Sequence, residues 1–303
     1  MFAQKLNEEY GPLDWRLPEA HAIYWYSLGL EKAKENTGKA KPDAFSLAQL
    51  RRGIFQSAQA AFRHGRIIVN PITHEVAQVP DLDLIPKANE VYLKMYAEET
   101  DQGQKEEYLT GHRNYLRDAV YWLYENARVA EAAKWFKYLG DKYPDQPIIE
   151  NRPDSLPKNL TLDEYALAVV NIDIGETSQE RVTGAVQGLL ENAYLALAIG
   201  QDDRYVGFQL LANKAYDRYQ SKMGNDQPRA KLPPMNDLKR TVLDYLLGTQ
   251  TQVIPYAARA AIRTGLRMPA ETNAPPQTVS TNAIIPVVSP ASTNSSTTNS
   301  PTK

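Results

Sequence analysis

The sequence predicts an all-α protein built as an array of α-hairpins, with a small extended or β-hairpin excursion near 66–80 and a disordered C-terminal tail. Apolar residues recur at three- and four-residue spacing through most of the first 268 positions. Prolines and capping residues punctuate those periodic stretches at short intervals. Beyond them the composition changes: from Glu271 to Lys303, 17 of 33 residues are Ser, Thr or Asn, too few of them apolar to offset ordering entropy. These features divide the chain into a helical domain, 1–268, and a tail, 269–303.

The elements follow in order. Phe2, Leu6 and Tyr10 fall on one helical stripe at the start of the chain. In "RLPEAHAIYW", Pro18 suits the first turn of a helix and Glu19 the positive end of its dipole. His21 reads as a hydrogen-bonded surface histidine, with an acid–base group as the alternative, Tyr24 and Trp25 as packing residues, and Tyr10 and Trp15 as folding back on the first turn. Asp43 can cap the next helix, which carries Phe45, Ala48, Ile54, Ala58 and Phe62. Arg66 to Val79 then has β-branched runs on either side of an Asn-Pro turn. Pro86 restarts helix.

Asn114 to Pro147 contains two amphipathic helices with a turn near Asn126 to Arg128. Leu116, Ala119, Val120 and Leu123 share one face; Ala132, Phe136, Leu139 and Tyr143 share the other, and Pro144 ends the second helix. A second stripe, including Trp122 and Trp135, requires a neighbouring hairpin. Thr161–Glu164 and Thr177–Glu180 match the reciprocal capping pattern. Asp202 or Asp203 can cap a further helix, while Pro233-Pro234 and Pro255 open the last two.

Ala132, Phe136 and Pro144 match the A-x₃-F…P half of the tetratricopeptide pattern, so the segment 113–146 resembles such a repeat. Trp25, Leu28 and Gly29 give W-x₂-L-G in a partial second match at about 22–53, with Lys32 where the pattern has Tyr. The resemblance implies stacked helical hairpins. It also implies that the outer row of the first helix, Asn114, Arg117, Tyr121 and Tyr124, lines a groove for a partner peptide.

Composition narrows the function classes. Thirty-four basic residues against 36 acidic give a net charge of −2, which supplies no extended field for nucleic acid. Without cysteine there are no disulfides, thiolate zinc sites or cysteine-held clusters. No cofactor is expected. No apolar run approaches the roughly 18 residues of a membrane helix, and the first residues lack a signal core. Taken as written, the chain is expected in the cytoplasm, with the cell envelope as the alternative if residues precede Met1.

Catalytic patterns are scarce: the four histidines are scattered, and Gly-rich phosphate loops and G-x-S-x-G are absent. Asp81 and Asp83 in "PDLDLIP" are the weak metal candidates, since in an extended segment both carboxylates face one side. The alternative is a polar outer face on a connector. The expected function is a non-catalytic scaffold that binds a protein or peptide. The alternative is a helical protein that binds or cleaves glycans, suggested by eighteen tyrosines and four tryptophans that could stack on sugars.

Overall fold

The computed structural model describes residues 2–35, 43–69, 74, 76–170, 178–223, 231–248 and 253–271. Among them the chain forms eleven α-helices, two short 3₁₀ turns and one two-stranded antiparallel sheet. The tail expected from 269 onward lies outside the described residues after Glu271.

Helix α1 (Phe2–Tyr10) buries Leu6 and Tyr10. Gly11 stops it with a φ of 102°, where an added Cβ would stand 2.6 Å from Leu84 Cδ2. Glycine meets both demands. Pro18 opens α2 (Pro18–Glu35), and the Asp43 carboxylate caps α3 (Ala44–His64) by accepting from the Ser46 amide at 2.6 Å. Glycines set the antiparallel register of this pair: the Tyr26 ring lies on Gly53 and Leu50 lies on Gly29.

The expected excursion is the sheet, β1 (Arg66–Val69) against β2 (Val76–Val79), with Arg66 opposite Val79 and Val69 opposite Val76. Its Asn-Pro turn lies outside the described residues. A 3₁₀ turn, Leu82–Leu84, leads into α4 (Ile85–Glu98), with Pro86 in its first turn.

Helix α5 (Gln102–Glu125) begins well before Asn114, because Asp101 caps it by accepting from the Gln104 amide at 2.9 Å. Ala127, at φ 58°, reverses the chain into α6 (Val129–Lys142). After a second 3₁₀ turn, Pro157–Asn159, comes α7 (Leu162–Val169), whose Thr161 and Glu164 form the expected reciprocal cap. The next cap shifts by one residue. Ser178 caps α8 (Gln179–Ala198), whereas Thr177 lies outside the described residues. Helices α9 (Asp202–Met223), α10 (Met235–Leu247) and α11 (Tyr256–Gly265) complete the fold; Pro234 and Pro255 each stand immediately before a helix, and Asp202 and Asp203 lie inside the first turn of α9.

Two apolar clusters hold these elements together. The smaller one joins α1 to α4 through Leu6, Ile23, Ile54, Ala61, Val91 and Met95. The larger one centres on α5, where Leu116, Ala119, Val120 and Leu123 are wholly buried as their spacing predicts. Trp122 also finds its neighbour: its ring lies 5.0 Å from that of Phe62 at the end of α3.

Candidate functional site

The outer row of α5 divides. Asn114 is exposed and Arg117 partly so, but Tyr121 is 4% exposed and Tyr124 is wholly buried. A groove lined by all four is therefore corrected by the packing of the second half of α5 against α7 and α9. The Tyr124 hydroxyl donates to Asp163 Oδ1 at 2.5 Å. Tyr121 lies beside the buried Glu125, which Arg204 of α9 holds with its Nε at 2.7 Å. Helix α9 approaches this end of α5 so closely that an added Cβ on Gly207 would overlap the Glu125 carbonyl oxygen. From α7, the Tyr165 hydroxyl donates to the Arg117 carbonyl at 2.9 Å.

What remains at the surface is the middle of α5. Arg117 Nη1 donates to Asn114 Oδ1 at 3.2 Å. Arg113, one turn earlier and not among the sequence candidates, donates through Nη1 to Gln146 Oε1 at 2.6 Å. Burial, then the like charge of Arg117, pulls the Arg113 pKa below its ordinary value. The signal in the sequence was the i, i+4 spacing of two arginines, which places both on one face.

The acidic candidates behave differently from their sequence reading. Leu82–Leu84 is a 3₁₀ turn, so Asp81 and Asp83 do not line one side of an extended strand. The Asp81 carboxylate accepts from the Asp83 amide at 3.2 Å, and burial pushes its pKa up. Asp83 instead accepts from Arg128 Nη1 at 2.8 Å, tying the turn to the start of α6. Among the described residues no group of three or more His, Asp or Glu side chains converges as a metal site.

Other titratable clusters are bound into packing. His112 is buried, with Nδ1 2.8 Å from the Tyr143 hydroxyl and Nε2 2.8 Å from Asn89 Oδ1. An amide oxygen only accepts, so Nε2 carries the proton and Tyr143 donates to Nδ1. Burial, then the charge of Lys142, lowers the His112 pKa to about 4. Asp163 and Glu164 adjoin at the start of α7, where Lys214 and Arg218 of α9 hold them at 2.8 and 2.9 Å. Burial would raise Asp163, but its bonds to Lys214 and Tyr124 outweigh it and the net shift is downward. Both carboxylates are thus held ionised, unsuited to donating a proton at neutral pH.

His21 at the entrance to α2 takes the expected role, with Nε2 2.9 Å from the Trp15 carbonyl oxygen. Trp15 and Tyr24 pack edge to face at 6.4 Å. Trp25 does not pack as predicted: it is 66% exposed, and Phe45 on α3 is 71% exposed. Helix α2 carries apolar residues around its circumference, and among the described residues α1 and α3 pack on it while leaving Trp25 in water.

Comparison of the chain with protein-family models, curated proteins and solved structures returns no match. Among the described residues no helix is long and apolar enough to cross a membrane.

Proposed function

We propose that this protein is a non-catalytic interaction scaffold that holds a protein or peptide partner against a helical surface. The reading takes the pairs α2/α3, α5/α6 and α8/α9 as successive units of a tetratricopeptide-like array, each leaving part of its apolar stripe for a neighbour.

The observation that carries the proposal is the exposure of Trp25 and Phe45 on the α2/α3 pair, at 66% and 71%. Large aromatic side chains contribute disproportionately to binding when a partner covers them, and leaving them in water is unfavourable. Trp15, Trp122 and Trp135, by contrast, are all packed against the protein's own cores. The same reading keeps Asn114 and Arg117 as surface contacts and releases Tyr121 and Tyr124 to the core.

Affinity capture from cell extract tests this with the full chain and the double variant Trp25→Ser/Phe45→Ser as baits. The proposal expects at least one protein enriched by the first and reduced roughly tenfold or more by the second, the effect of losing one strong aromatic contact. Equal recovery of every protein by both baits contradicts it.

A further inference from the structure

Among the described residues most partly buried arginines face a carboxylate. Arg51 faces Glu98, Arg63 faces Asp118, Arg128 faces Asp83 and Glu131, and Arg152 faces Asp154. Arg204 and Glu125, Arg218 and Glu164, and Arg259 and Glu271 are likewise paired. Arg263 donates to the Pro269 carbonyl and lies in the field of Glu271. Arg113 and Arg117 differ. Each reaches only a neutral amide, Gln146 for the first and Asn114 for the second. Among the described residues neither has a carboxylate within ion-pair distance, and the Nε of each is buried without an acceptor, as it is in Arg51, Arg63 and Arg263, but here no carboxylate meets the rest of the guanidinium.

The two guanidinium groups also repel one another. They stand one helical turn apart on α5, and the charge of Arg117 lies close enough to Arg113 to disfavour its protonated form. Asp118, within Coulombic reach of Arg117, is already engaged by Arg63. Two like charges partly withdrawn from water, with the nearest carboxylate engaged by a third arginine, form an unfavourable arrangement. Arginine resists deprotonation, so the charge cannot be shed. The cost is relieved when an anion from outside supplies oxygen acceptors, because guanidinium groups bind oxyanions through paired N–H bonds.

We propose that Arg113 and Arg117 form an oxyanion site on the middle of α5, with the Asn114 and Gln146 side-chain amides beside it. The site takes a phosphate or carboxylate group. Two sources present that chemistry: inorganic phosphate, and an acidic segment of a partner chain. Only the second source rests on the scaffold reading; the oxyanion site itself does not.

Calorimetric titration of the full chain separates these sources. One arm uses inorganic phosphate, the other a synthetic peptide of alternating glutamate and glycine, both in chloride buffer at matched ionic strength. Binding in either arm is expected, weakened roughly tenfold by Arg113→Gln or by Arg117→Gln and abolished by the double variant. Binding in the phosphate arm alone assigns the site to a free ion; binding in the peptide arm, to an acidic partner. Urea denaturation in phosphate-free buffer supplies a reading that a purely structural arginine would not give: Arg117→Gln leaves the midpoint unchanged or raises it, since it removes uncompensated charge. Silence in both arms, undiminished binding by the double variant, or a lowered midpoint for Arg117→Gln overturns the proposal. The aromatic bait variant keeps both arginines, so the scaffold reading succeeds or fails separately.

Discussion

Protonating His112 would place a positive charge where Asn89, Tyr143, Tyr92 and Tyr115 close around a neutral ring. Its pKa therefore falls from 6.5 to about 4 on folding. As pH drops below 6.5, unfolded chains take up a proton that folded chains refuse, and stability declines until pH passes below about 4. The full effect is about 3 kcal/mol. Urea denaturation at several pH values is expected to show a shallower decline for His112→Gln than for the natural chain, and equal slopes would contradict this. Gly207 gives a steric prediction at the same scale. Alanine there places a methyl group on the Glu125 carbonyl oxygen, so Gly207→Ala is expected to cost about 3 kcal/mol or prevent folding, measured as a loss of denaturation midpoint. Neither residue was legible in the sequence. A lone histidine carries no sign of its burial, and a helical glycine carries no sign of the neighbour that presses on it. Tyr121 and Tyr124 failed for the same reason. Helical spacing gave their face, while the partner that covers that face comes from α7 and α9, some 40 to 90 residues away.

Elements were more readable than sites because their signals are local. Asp43, Pro18, Pro86, Thr161 and Pro255 each lie at a helix start, since capping and proline geometry act within one turn. The two β-branched runs pair as expected for the same reason. The reading failed where two hydroxyl residues adjoin at a helix start, of which Ser178 is the cap, and where a helix extends into polar sequence, as α5 does back to Gln102. The joint between α5 and α9 supplies the prediction at this scale. Arg204 holds Glu125 at the C-terminal end of α5, where the helix dipole disfavours a carboxylate. Arg204→Met strands that carboxylate and is expected to cost about 4 kcal/mol at neutral pH. The loss shrinks on acidification, as burial lets the folded state take up the proton first. Adding Glu125→Gln recovers most of the stability. A double variant no more stable than the single one would contradict that account of the joint.

At the scale of the molecule, the composition break after residue 268 set the expected boundary of the helical domain. Glu271 belongs with the fold, because Arg259 of α11 donates to both of its carboxylate oxygens, at 3.0 and 3.1 Å, with both side chains buried. A chain ending at Met268 is therefore expected to be about 3 kcal/mol less stable than one ending at Glu271, since it leaves the Arg259 charge buried and unpaired. Equal thermal midpoints would show that Glu271 contributes nothing. The overall arrangement, two apolar clusters joined through α3, α4 and α5, follows from amphipathic helices that each need a neighbour. Function was less legible than fold, because packed helices are shared by proteins with unrelated partners and the informative residues are those the packing leaves over. Trp25, Phe45, Arg113 and Arg117 are such residues, and only the three-dimensional packing separates them from the rest.

Lysine-directed cross-linking of captured complexes, read by mass spectrometry, tests the scaffold account most directly. Lys32 and Lys34 are exposed on the α2 that carries Trp25, and Lys142 is exposed at the end of α6 near His112 on α5. The account predicts links from the partner to these three lysines, lost with Trp25→Ser/Phe45→Ser. Links confined to Lys231, just before α10, and Lys239, within it, would contradict it.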